Sequence, residues 1–398
     1  MRDTPVSTTN KKVVVRGVLP GAKTVSDIVV EGGKVIRVSR AGSGGCDAGS
    51  AASIIAPTLF DIQVNGYGGI DLQGIEALPE DVARVDEKLQ RIGVSHWIPT
   101  IITSSFENTE HGCAMVAAAR KDPALAKRIP GVHIEGPYIS PDDGPRGAHD
   151  KRHVRKPDLR EFDRWYEAAE GQVAYITLAP ELDGAISFIK EMSKRGVIVS
   201  LGHHNATPDQ IARAVDAGAR MCTHLGNGLA AHIPRHSNPL WPQLAEDRLY
   251  ASVIADLEHL PPHILKTIVR VKGPERTVIT SDAVHIAGLR PGHYNLVGMP
   301  VELKKSGRIC LSGTELLAGS ATSLLQGVIN TAKFTDLTLE QAFACASSVP
   351  AKLFGVSHRF GVPKPGASAN LICIAPPAGN KRAAPTLRAC FVDGIRVV

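Results

Sequence analysis

Apolar positions along this chain fall into two rhythms. Over residues 13–55, short Val- and Ile-rich runs (VVVRGVL, DIVVEGGKVIRVSR) alternate with Gly-rich turns such as Glu31-Gly32-Gly33-Lys34, which is the pattern of hairpin strands. From residue 54 onward, apolar runs of strand length alternate with stretches of helical spacing. The runs fall at 54–66, 95–102, 129–136, 173–180, 196–204, 219–225, 249–256 and 276–283, which makes eight candidate strands. Between most of them lie amphipathic segments. In TPDQIARAVDAGA, Thr207 stands where an N-cap belongs and Gly218 where a helix stops. Alternating strand and helix predicts a parallel sheet. Eight repeats predict its closure into a (β/α)8 TIM-type barrel.

Beyond the eighth strand, residues 292–312 read as a hairpin, and helical segments follow in TSLLQGVINTAKF and TLEQAFACASSVPAKLFG. The tail turns β-rich again in ANLICI and LRACFVDGIRVV, separated by a Pro/Ala/Gly loop. The two β-rich ends are expected to pair into a small discontinuous β-sandwich domain (13–55 with 361–398) beside a barrel over 56–360. Residues 1–12 read as a mobile tail. The small-residue stretch 41–53 lacks GxxxxGK[ST] and so reads as a loop rather than a phosphate cradle.

Composition narrows the function classes. At 398 residues, 43% hydrophobic and 21% charged, the chain has material for a large core. Aromatics make up 5%, which disfavours a nucleic-acid binder built on stacking. The single basic cluster, KRHVRK at 151–156, reads as a solvated or inter-subunit loop. No apolar run reaches the ~18 residues of a membrane span, and MRDTPVSTTNKK has no signal-peptide core. Seven widely spaced cysteines without a CxxC pair predict reduced thiols and a cytoplasmic location. The net charge of +6 is too small to name a partner.

The candidate chemistry sits at the C-terminal ends of the proposed strands. Asp61, Gln63 and Asn65 end the first; His133 and Glu135 the third; His203 and His204 the fifth. His224 ends the sixth, Asp256 the seventh and Asp282 the eighth. Taken singly, each is an ordinary polar group at a strand end, and the lesser reading of Asp282 is a helix cap. In a barrel these ends converge on one face. A carboxylate buried among apolar neighbours, as Glu135 would be, is costly without a cation. One Glu, two His and an open position suit a catalytic zinc or a similar transition metal. Asp282 then reads as the general base.

Several segments carry a resemblance: APTLFDIQVNGYGG (56–69), HIEGPYISP (133–141) with RGAH (146–149), LGHHNAT (201–207), THLGNG (223–228), IAD (254–256), TSDA (280–283), LAGSATSLLQGVIN (317–330) and GVPKPGASANLICI (361–374). In order and spacing the chain resembles the amidohydrolase superfamily, and within it the N-acetylglucosamine-6-phosphate deacetylase family. The resemblance implies hydrolysis of the acetamide of an N-acetylated amino sugar phosphate. It assigns Glu135, His203 and His224 to the metal and Asp282 to proton transfer, from the attacking water to the leaving amine. It places His259 near the acyl group. Many superfamily members carry HxH on the first strand and bind a second metal. Here Gln63 and Asn65 stand instead, which predicts one divalent ion per subunit, zinc first, with iron, cobalt or manganese as alternatives.

For the substrate, the resemblance implies phosphate contacts from Asn227, the Gly228 backbone and Arg235, with His149 lent by a neighbouring subunit of a homodimer. The chain departs from the family in LGNGLAAHIPRHSNPLWPQ, where Trp241 could pack on a sugar face, and at Leu257-Glu258, where a negative charge disfavours a phosphate. Two alternatives stay open. One is an amidohydrolase acting on an unphosphorylated N-acyl sugar, N-acyl amino acid or cyclic amide. The other is a non-enzymatic descendant that binds without turnover, which the four intact chemical positions disfavour.

Overall fold

A computed structural model describes residues 12–360, 363–375 and 385–398. The expected mobile tail therefore lies almost wholly outside the described residues, as does most of the loop between the last two β-rich runs.

The barrel strands are Leu59–Val64, Val94–Ile102, Val132–Glu135, Val173–Leu178, Ile198–Leu201, Met221–Cys222, Tyr250–Ile254 and Thr277–Thr280. They pair in sequence order and all in parallel. The ring closes through a bridge between Val64 and Ala283, with Asn65 N donating to Ala283 O at 2.7 Å. Strands buried on both faces need two apolar layers. The outer layer packs the strands on surrounding helices and includes Leu89, Val116, Phe162, Phe188, Ile211 and Leu265. The inner one gathers Phe60, Ile62, Ile98, Tyr175, Met221 and Val278 and is plugged by Ala351 and Phe354.

Local signals held where they were strongest. The helix Pro208–Ala217 starts at Thr207, whose side chain accepts from Gln210 N in a capping box, and ends at Gly218 with φ 123°. The run 54–66 divides into two strands. Ala48–Pro57 belongs to a different sheet from Leu59–Val64, and the break follows Pro57, which has no N–H with which to continue a ladder.

Both ends of the chain build that other sheet. It has seven strands in the order Ile395–Arg396, Thr386–Val392, Leu371–Ala375, Ala48–Pro57, Val13–Val18, Val25–Glu31, Lys34–Arg40. Buried residues of this sheet around Val15, Ile28, Val30, Ile55, Leu371 and Phe391 form a cluster of their own, while Ile372, Ile374, Cys390 and Val392 join the barrel's core. The sheet thus carries a small core of its own and also packs against the barrel.

The region expected to be one hairpin is a four-stranded antiparallel sheet: Gly292–Leu296, Met299–Leu303, Arg308–Leu311 and Leu317–Ser320. Val301, Leu303, Ile309 and Ala318 bury its inner face against Val284 and Ile286. Ser320 N donates to Asp282 O at 3.1 Å, which seats the sheet over the end of the eighth barrel strand. All seven cysteines are free. Among the described residues, no helix is long and apolar enough to cross a membrane.

Candidate active site

The residues just past the strand ends are held in unusual backbone. His203, His224 and Asp282 have φ of 54°, 30° and 51°, in the left-handed region that side chains disfavour. Such positions cost ~1–3 kcal/mol each and cluster at functional sites. The surroundings enforce them. A Cβ on Gly202 would meet both Thr177 and Thr223 at 2.8 Å, so only glycine lets the chain turn there into His203. Ser252 Oγ accepts from His224 N at 2.7 Å. Asp61, buried, accepts from Thr280 Oγ1 at 2.9 Å and Ser281 N at 3.0 Å and braces the turn that carries Asp282.

Three ligand atoms converge. Glu135 Oε1 lies 3.3 Å from His203 Nε2 and 3.2 Å from His224 Nε2, and the two Nε2 atoms are 3.0 Å apart. His203 Nδ1 lies 2.9 Å from Pro145 O. A carbonyl only accepts, so Nδ1 carries a proton, and in the neutral ring Nε2 is bare. That nitrogen faces a carboxylate oxygen, and two acceptors at this distance need a cation or a proton between them. The donor set therefore fits a divalent metal, with Pro145 fixing the tautomer of one ligand as metal-bound histidines require. Burial pushes the Glu135 carboxyl up, but its close contacts with His203 and His224 outweigh it and hold it well below the usual carboxylate range.

His149 also enters this cluster. Its Nε2 is 3.2 Å from His203 Nε2, and Glu135, His149 and His203 form a second trio with donor atoms within 4.8 Å of one another. The His224 set is tighter, and the metal assignment rests on it. The His149 ring thus faces its own chain's cluster.

Gln63 joins the two carboxylates. Its Nε2 donates to Glu135 Oε1 at 3.0 Å and to Asp282 Oδ1 at 2.9 Å, while Asn65 Nδ2 donates to the same Asp282 oxygen at 2.9 Å. Burial, reinforced by the Glu135 charge, pushes the Asp282 carboxyl up to about 7. A base poised near neutrality is suited to moving a proton at neutral pH. On the facing side, His259 Nδ1 sits 2.7 Å from Asp256 Oδ2. Burial lowers the His259 pKa, but the hydrogen bond and charge of Asp256 more than offset it and raise it above the ordinary histidine value.

These groups open onto a cavity of about 600 Å³, within the ~300–1,000 Å³ typical of small-molecule sites. Glu135, His149, His203, His224, His259 and Asp282 line it, with Asn227 and Gly228 beside them. Gly228 packs on the His203 ring, where a Cβ would come within 3.0 Å of Nδ1. Its far wall comes from the four-stranded sheet, through Leu296, Met299, Arg308 and Leu316. Arg235 is exposed and does not line the cavity. Trp241, 52% exposed, is likewise outside it. His133 and His204 are buried off the cavity wall. His133 stacks on Tyr175 at 3.6 Å and bonds Thr100 and Thr177, which makes it part of the barrel's filling. Arg308 and the bracing role of Asp61 carry no signal in spacing or periodicity. Pro145, just before the RGAH segment, and Gly147, within it, both lie against His203 and could have been found from that place in the sequence.

The chain matches the amidohydrolase family over residues 54–395. It is a member of that family. N-acetylglucosamine-6-phosphate deacetylase from Danio rerio is 33% identical over 332 residues, covering 81% of this chain and 80% of the relative. The enzyme of the same name from Homo sapiens is 32% identical over 332 residues, covering 81% and 79%. A Mycobacterium smegmatis N-acetyl-D-glucosamine-6-phosphate deacetylase variant, solved in complex with N-acetyl-D-glucosamine-6-phosphate, superposes with a TM-score of 0.86 at 27% identity, covering 98% of this chain and 100% of that one. Within the amidohydrolase family the chain groups with these deacetylases and is a hydrolytic enzyme.

Proposed function

We propose that this amidohydrolase cleaves the acetamide of an N-acetylated amino sugar phosphate, converting N-acetylglucosamine 6-phosphate and water to glucosamine 6-phosphate and acetate. The observation that carries the reading is the convergence of Glu135, His203 and His224 beside an Asp282 poised near pH 7. The names of the relatives supply the substrate class. Glu135, His203 and His224 would hold one divalent ion, zinc first, with iron, cobalt or manganese as alternatives. When bound, such an ion supplies Lewis acidity toward an acyl oxygen and an acidified water.

The chain's own residues do the rest. Asp282, aimed by Gln63 and Asn65, takes the proton of the attacking water and returns it to the departing amine. His259, held by Asp256 and with its pKa raised by it, donates to the acyl oxygen as negative charge develops there. Asn227, the Gly228 backbone and His149 line the substrate's side of the cavity. Arg235 contacts substrate only if its exposed loop folds inward. That position is the specific observation favouring the second reading, an unphosphorylated N-acyl sugar. A cytoplasmic homodimer completes the proposal. It rests on the seven free cysteines and on the resemblance, and sedimentation of the purified protein checks the dimer.

The deciding experiment measures acetate release by the metal-loaded protein from phosphorylated and unphosphorylated N-acetyl hexosamines side by side. Release from neither would sink the deacetylase reading. Metal analysis returning two tightly held ions per chain would refute the single-metal assignment. If Arg235→Ala raises KM for the phosphosugar less than about tenfold, Arg235 is not the phosphate contact.

A further inference from the structure

A phosphorylated substrate needs a cation on the wall of its cavity, and the residue expected to provide one, Arg235, stands outside. The histidines on the wall are committed. His203 and His224 face Glu135, His149 faces His203 at 3.2 Å, and His259 is bound to Asp256. Among the described residues, Arg308 is the one lysine or arginine that lines the cavity.

The guanidinium of Arg308 is half engaged. Nη2 donates to the Glu315 carbonyl at 2.9 Å and pairs with the Glu315 carboxylate at 2.9 Å. Nε points to Cys310 Sγ at 3.2 Å. Among the described residues, Nη1 has only a distant ionic neighbour, Glu258 Oε2 at 3.8 Å, beyond hydrogen-bond reach. The Glu315 side chain is 74% exposed, so its grip is readily exchanged for that of another anion. The Arg308 neighbour Glu258 directly precedes His259, so the guanidinium stands beside the turn that carries that histidine.

We propose that Arg308 reads the anionic group of the substrate, with the exposed Glu315 carboxylate holding its place until the substrate arrives and Glu258 weakening the grip by like-charge repulsion. The inference rests on the phosphosugar reading above. A phosphate presents two oxygens to the Nη1–Nη2 edge, the bidentate geometry arginine favours. It replaces the Glu315 carboxylate and gives Nη1 the acceptor it lacks. Glu258 then faces that phosphate across the same guanidinium, so it lowers affinity for a dianion and spares a neutral sugar.

The test compares wild type, Arg308→Gln, Arg308→Lys and Glu258→Gln in two measurements. The first is the ratio of kcat/KM for a phosphorylated over an unphosphorylated N-acetyl hexosamine. Arg308→Gln should lower that ratio tenfold or more, Arg308→Lys should fall in between, and Glu258→Gln should raise it. If Arg308 merely ties its sheet to the 256–259 turn, both substrates lose equally and the unchanged ratio overturns the proposal. The second is calorimetric binding of inorganic phosphate to the metal-loaded protein, which needs no turnover. Loss of binding in Arg308→Gln supports the assignment even if no hexosamine is deacetylated, in which case only the deacetylase reading fails. Phosphate that does not bind wild type, or that binds Arg308→Gln equally well, overturns the Arg308 assignment.

Discussion

Gln63 is the residue at which metal site and base meet, and Gln63→Leu tests whether that junction sets the chemistry. The side chain is fully buried, and one amide nitrogen serves Glu135 at 3.0 Å and Asp282 at 2.9 Å. Leucine keeps most of the volume and removes both donors. A hydrogen bond to a charged group contributes ~1.5–3 kcal/mol net. At ~1.4 kcal/mol per pKa unit, losing the bond to Asp282 raises its carboxyl by roughly one to two units. Its ionised form is the base, so the rate is lost as pH falls through that pKa. The acid limb of the kcat/KM profile should therefore move from near 7 upward by about that amount. Losing the bond to Glu135 should also weaken metal retention ~10–100-fold against a competing chelator. The assay is a pH–rate profile from about 5 to 10, paired with chelator titration of the loaded protein. An acid limb that stays in place would refute Asp282 as the titrating base held by Gln63. An unchanged chelator midpoint would refute Gln63 as the support of Glu135.

Asp282→Asn keeps the hydrogen-bonding shape but cannot accept a proton. Turnover should fall by at least ~10²–10⁴-fold with substrate binding still measurable by calorimetry, and full activity would exclude the assigned base. Gly202→Ala drives a methyl into Thr177 and Thr223 at 2.8 Å; it should cost ~1–3 kcal/mol and lower both Tm and metal content, whereas an unshifted Tm would mean that the turn has slack. His96 is buried, with Nδ1 on Ser95 Oγ and its ring 4.6 Å from that of Phe360, and burial lowers its pKa to about 3. The folded state thus binds fewer protons than the unfolded one between pH 3 and 6.5. Its stabilising contribution is full above pH 6.5 and is lost as pH falls toward 3. Urea midpoints across that range should flatten in His96→Gln relative to wild type, and parallel slopes would contradict the neutral buried ring.

The barrel was legible because each strand is an apolar run set off from helical spacing. The site was legible because polar residues close those runs: Glu135, His203, His224 and Asp282 each stand at or just beyond a strand's last residue. Gln63 appears in the sequence as a missing histidine, and its link between two carboxylates appears only in three dimensions. What escaped has physical reasons. Arg308 lies in GRICL, where neither its neighbours nor its spacing show that the sheet folds back over the eighth strand. The run 54–66 is continuous in hydrophobicity across a change of sheet, since burial marks both halves and only Pro57 marks the break. Arg235 matches its expected place in the chain, but the loop around it is held by contacts of its own, with Asn238 and Trp241 both donating to backbone carbonyls near it.

The left-handed backbone at His203, His224 and Asp282 has a consequence for how the protein responds to selection. Glycine is more comfortable than any side chain in that conformation, by roughly 1 kcal/mol or more at each position. Glycine at any of the three would relieve that strain and at the same time remove the group assigned to the chemistry. Thermal robustness and catalysis compete at these three positions, so any effort to toughen this protein must hold them constant and look for gains elsewhere.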